Sequence, residues 1–222
     1  SVTTNNFVKL SSTQVQALQT TQIAALNTEQ IVALTTSGVS VDKLGTAQVN
    51  ALTTAQIGEL TSTQLATFTT TQVQALSASQ IGAIVGDAQL GPNATSVMAN
   101  LTTTQVSSIG TSDMNTMSST NVNALTTTQV AVLTTPQIAA LNTTQVQNLE
   151  TQDVLAMIPR QLSDMSSTQL RALTTNALQV LENDDFVALT TSQVSSLTDT
   201  QAAAIKSSQV AGLNTSKIST LL

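Results

Sequence analysis

The chain has 222 residues, of which 41% are hydrophobic and 8% charged, with a net charge of −6 and only three aromatic residues, all Phe. An average globular protein is about 25% charged, so a solvent face of Thr, Ser, Gln and Asn does here what charge usually does. The chain has no Cys or His, which removes disulfides and thiolate, imidazole and haem sites. Its six Lys and Arg give no footprint for nucleic acid or anionic lipid. Apolar residues are too frequent for a hydrophilic linker, and no apolar run approaches the roughly 18 residues that would predict a membrane span.

A unit of eight residues recurs along the chain, seen cleanly at Leu125-Thr-Thr-Thr-Gln-Val-Ala-Val132 and Leu133-Thr-Thr-Pro-Gln-Ile-Ala-Ala140. Numbered from the large apolar residue, its consensus is Leu, polar, Thr/Ser, variable, Gln, Val/Ile, variable, Ala. Apolar positions one, six and eight have mixed parity, so a period-two strand would divide them between two faces. Steps of three and four link positions five and six to the next position one, as on one helical face.

Each unit is therefore expected to form one very short helix, and the chain an all-α solenoid. Position three, held by Thr20, Thr28, Thr36, Thr46, Thr54, Ser62 and Thr70 and later by Thr103 through Thr151, is expected to be the N-cap. Position four then begins the helix, and Pro136 and Glu29 suit that place. Position two tolerates Gln19, Gly45, Ile158, Glu182 and Lys206, which argues against a cap there. A helix of about six residues does not stand alone in water, so packing between units must hold it. Gln at position five is expected to hydrogen-bond backbone of neighbouring units, a capping-box role requiring it one residue later. A β-solenoid is the alternative, since Thr, Val, Ile and Gln also suit stacked strands.

In chain order, units begin at Val2, Leu10, Leu18, Leu26 and Leu34, and residues 35–43 then insert two residues before Leu44. A second run continues through Leu52, Leu60, Phe68, Leu76 and Ile84. Residues 85–100, with Gly86-Asp87 and Gly91-Pro92-Asn93, insert one more. From Leu101 the phase is unbroken to Leu221. Residues 1–222 thus read as a single octapeptide solenoid with phase shifts near 35–43 and 85–100. Neither terminus reads as a dedicated cap, so either neighbouring segments of a longer protein cover the ends or molecules associate head to tail.

No catalytic, cofactor-binding or metal-binding residue is expected. Glu182, Asp184 and Asp185 read as a charged first turn, and Asp113 and Asp153 as substitutes for the position-five Gln. Ser and Thr have no His to activate them, and Lys43 and Lys206 are the remaining nucleophile candidates. Sequons at Asn93, Asn100, Asn142 and Asn214 matter only in a glycosylating host.

The tracts at Leu26–Ala33, Leu125–Val132 and Leu133–Ala140 resemble octapeptide regions of large repetitive bacterial proteins, secreted or attached to the surface. That resemblance implies an extracellular or cell-surface rod, stalk, adhesin or matrix filament that polymerises end to end or belongs to a longer repeat protein. The alternative reading is a binding module that displays its long repetitive polar surface to cell-surface glycan or another cell. The same string is similar to the opening of TAL-effector repeats, which are much longer and need a basic DNA-facing surface that six Lys and Arg cannot supply.

Overall fold

The computed structural model describes residues 4–7, 9–33, 41–85, 90–91 and 94–221. Among them there is no strand, and the units form helices such as Thr54–Gly58, Thr103–Ser107, Thr143–Gln147 and Asn183–Ala188, generally one per octad. The all-α expectation holds, and the β-solenoid alternative is unsupported. Residues 35–40 of the first phase shift, and 86–89 and 92–93 of the second, lie outside the described residues.

The cap assignment is corrected by one residue. Helices begin at position three, and position two is the N-cap: Thr53, Thr61, Thr69 and Thr126 are extended there, and their hydroxyls accept from the backbone N–H three residues on. Position five is then the third helical residue, and its glutamine closes a capping box. In the pair Thr53 and Gln56, the Thr53 N–H donates to Gln56 Oε1 at 2.7 Å and the Gln56 N–H to Thr53 Oγ1 at 3.2 Å.

The glutamine also explains why position two tolerates so much. At Gln19, Gly45, Ile158 and Lys206 the backbone N–H still donates to the glutamine three residues on, at 2.8 to 2.9 Å, whatever the capping side chain. Pro136 becomes the second helical residue and Pro159 the first, both places where a missing N–H costs nothing.

The corner between helices needs no glycine. Leu52 (φ −61°, ψ 135°) and Thr53 (φ −72°, ψ 160°) are both extended, and this pair turns the chain from one helix into the next. Among the described residues only Gly91, at φ 47°, has positive φ. The repeat can therefore place Leu and Thr at its corners, where a left-handed turn would demand Gly.

Position six is the innermost residue. Val49, Ile57, Val73, Ile81, Val106 and Ile138 are 0% exposed, and position one packs beside them at Leu52, Leu60, Leu125 and Leu141. Burial of each such side chain contributes roughly 1.5–3 kcal/mol, which is what a five-residue helix lacks by itself. By contacts the chain falls into two compact units, Ser1–Ile109 and Gly110–Leu222. Within each, a helix packs on the one three units along, as Pro159–Asp164 does on Asn183–Ala188, giving a solenoid-like winding.

Candidate functional site: the glutamine seam

A helix of five residues is nearly all terminus, so most of its N–H and C=O groups need partners outside the helix. The position-five glutamine serves both kinds at once. Its Oε1 accepts the N–H at the start of its own helix, while its Nε2 donates to carbonyls ending a helix in the preceding turn. Gln145 Nε2 reaches the Met114 and Met117 carbonyls, 31 and 28 residues back, both at 2.7 Å. Gln161 does the same to Val130 and Leu133 at 2.9 Å, and Gln169 to Ile138 and Leu141. The inter-unit amide bond expected from sequence is present, and it joins successive turns.

The separations record how the phase shifts are absorbed. Gln80 reaches back 31 and 28 residues, but Gln48, on the far side of the two-residue insertion, reaches Val15 and Leu18 at 33 and 30. Gln105, beyond the one-residue insertion, reaches Val73 and Leu76 at 32 and 29. Each insertion lengthens one turn by its own number of residues and leaves the seam intact. Position seven adds a second link where it is Asn: the Asn50, Asn115 and Asn123 amides donate to carbonyls 25 residues on.

These glutamines are buried to 8% exposure or less from Gln30 through Gln209, whereas Gln14 and Gln22 are exposed. One file within Gly110–Leu222 departs from glutamine throughout: Asn121, Asp153, Asp185 and Lys217, each 32 residues after the last. The files Gln129–Gln161–Gln193 and Gln137–Gln169–Gln201 are unbroken. Lys217 Nζ still donates to a carbonyl, that of Val187, at 2.7 Å. Asp153 and Asp185 cannot donate when ionised. Asp153 is 5% exposed, its Oδ2 meets no donor, and burial pushes its carboxyl up from 3.8 to about 6, the Glu150 charge adding to this and a hydrogen bond from the Glu150 backbone opposing it. Asp185 is 8% exposed and accepts the Glu182 N–H at 2.8 Å; burial raises its carboxyl too.

The other residues singled out in the sequence do not converge. Asp184 is exposed while Asp185 points into the seam. Lys43 pairs with Asp42 at 2.7 Å, and Lys206 Nζ donates to the Gln179 carbonyl at 3.0 Å. Asn142 and Asn214 cap the helices Thr143–Gln147 and Thr215–Ile218, their side chains accepting from Gln145 and Lys217 N–H. Asn100 Nδ2 donates to the Ser96 carbonyl at 2.6 Å, and Asn93 lies outside the described residues. Among the described residues no helix is long and apolar enough to cross a membrane. Sequence reasoning found the amide but missed its reach of 28 and 31 residues, because a repeat of eight does not say how many units make one turn.

A capped five-residue helix, its Gln at the third position and its aliphatic core residue next, recurs from octad to octad, and a family profile describes that repeat. The ALTTAQ repeat profile matches residues 3–36, 106–144 and 178–215, half of the chain. The chain belongs to the ALTTAQ repeat family. In ALTTAQ terms, the two Thr are the N-cap and first helical residue, and the Gln is the seam residue. Curated proteins yield no match.

Proposed function

We propose that this repeat protein is a structural element, a rod or filament subunit whose turns add end to end by the same bond that joins them internally. The observation that supports the reading is the two-sidedness of the seam. Glutamine Nε2 donors face one side of a turn and helix-end carbonyls the other, so a turn whose position five is glutamine is complementary to the turn before it. Such a heterologous contact leaves a free donor face and a free acceptor face at every step, and it propagates. Gln14 and Gln22 are exposed, with Oε1 engaged by the Ser11 and Gln19 N–H groups, and their Nε2 atoms are the donors offered to another turn.

The low charge fits this role, since closely stacked turns with 8% charged residues carry little mutual repulsion. The reading has no catalytic step and needs no cofactor. A setting outside the cell rests on the resemblance to secreted repetitive tracts, and it belongs to the same proposal. Light scattering and negative-stain microscopy across a concentration series test it. End-to-end filaments that shorten in the Gln14→Glu, Gln22→Glu variant are expected; a monodisperse monomer at every concentration overturns the reading.

A further inference from the structure

The two buried carboxyls of the seam stand where the files Gln129–Gln161–Gln193 and Gln137–Gln169–Gln201 have an amide donor. The steps that take Gln145 to Met114 and Met117, and Gln161 to Val130 and Leu133, take Asp153 to the carbonyls of Val122 and Leu125. The same steps take Asp185 to Val154 and Met157. Helix Thr151–Ala156 therefore has a carboxyl at its start and faces another at its end.

We propose that Asp153 and Asp185 form a proton-operated latch between successive turns. In the protonated form, one oxygen of each carboxyl keeps the N–H of its own N-cap residue, Glu150 or Glu182. The other oxygen carries a proton taken from solvent and donates it to a carbonyl of the turn before, as glutamine does elsewhere. Loss of the proton to solvent leaves acceptor facing acceptor, and the junction loosens. At Asp153 the oxygen concerned is Oδ2, which is buried and meets no donor.

The charged surroundings favour the latch. Asp153 has Glu150 on its own element, and the helices packed on that element, Thr127–Val130 and Thr175–Val180, carry no charged residue. Asp185 has Glu182 and Asp184 beside it. Of the helices packed on its own, Pro159–Asp164 brings Arg160 and Asp164, which lie 3.8 Å apart, and Ser207–Val210 brings Lys206 at its N-cap, while Lys217 Nζ donates to the Val187 carbonyl of the Asp185 helix. Raised carboxyl affinity for protons at Asp153 and Asp185 agrees with this geometry.

Amide hydrogen exchange of the full chain at pH 5 and pH 7, corrected for intrinsic rates, tests the latch. Residues 151–157 and 183–189 are expected to be better protected at pH 5, by about fivefold to tenfold, since one carboxyl moving from 3.8 to about 6 supplies at most about tenfold between these two pH values. The Asp153→Asn, Asp185→Asn variant is expected to lose that difference; Asn121 shows that the fold accepts Asn in this file, buried to 1%. Asp153→Gln, Asp185→Gln is expected to be well protected at both pH values. Equal protection of the wild type at the two pH values, or an unchanged difference in the Asn variant, overturns the proposal. Neither result bears on filament growth.

Discussion

The Gln145 side chain accepts the Asn142 N–H at 2.7 Å and donates to the Met117 carbonyl, 28 residues earlier, at 2.7 Å. One amide thus closes the start of one helix and the end of another in the turn before. This double duty lets helices of four to six residues persist, because termini that a longer helix would leave to water are paired inside the fold. It also accounts for the narrow choice at position five. A donor and an acceptor on one planar group, at that reach, are a property of Gln and not of Glu or Lys.

Removing a seam amide is expected to cost more than removing a surface cap. Gln161→Ala leaves the Ile158 N–H and the Val130 and Leu133 carbonyls short of a partner. A loss of about 2–4 kcal/mol is expected from unpaired buried groups, read from urea unfolding at pH 7. Gln161→Glu replaces the donor by a second acceptor and is expected to lose at least as much at pH 7, recovering as the pH falls.

The position of the cap separates two neighbouring threonines. Thr126 accepts the Gln129 N–H, while Thr127 is the first helical residue. Thr126→Ala is expected to cost about 0.5–2 kcal/mol, and Thr127→Ala to stay within about 0.5 kcal/mol. Equal losses in the two single variants would return the cap to position three.

Much of this architecture was legible in the sequence, for a physical reason. Steps of three and four among the apolar positions favour a helix over a strand, and Val130 and Leu133, three apart, do share the interior. The cap was misplaced because Thr and Ser are nearly constant at position three, whereas the capping position admits Ile158 and Gly45. The N-cap is held as much by the incoming glutamine as by its own side chain, so side-chain identity was a poor guide there. Which unit lies above which depends on the winding of the backbone, and identical octads contain no mark of it. The departure at Asp153 was visible by itself, but its membership of one file with Asp185 and Lys217 appears only once the turn length is known.

Ala177 marks a missing seam residue. It is 2% exposed at position five, where the Gln steps lead to the carbonyls of Val146 and Leu149. Ala177→Gln is expected to add the amide and raise stability by about 1 kcal/mol, the net value of a typical intramolecular hydrogen bond. Urea unfolding of the single variant checks it, and a loss would show that the adjoining turns close over the smaller side chain.

The pH dependence has a definite sign. The folded chain holds the Asp153 proton more tightly than the unfolded chain, since the carboxyl rises from 3.8 to about 6 on folding, and Asp185 shifts in the same direction. Between those values the folded state binds more protons, so stability falls as pH rises through the window and is greatest on its acid side. Melting temperature is therefore expected to decrease from about pH 4 to pH 6, and Asp153→Asn is expected to flatten that slope.

Hydrogen exchange of the glutamine side-chain amides tests the central claim most directly. Gln145, Gln161 and Gln169 Nε2 protons are expected to exchange as slowly as the core backbone amides of Val146 and Leu162, while those of exposed Gln14 and Gln22 exchange like a free amide. Free-amide rates at all five would contradict the account, because no turn would then be tied to the one before it by glutamine.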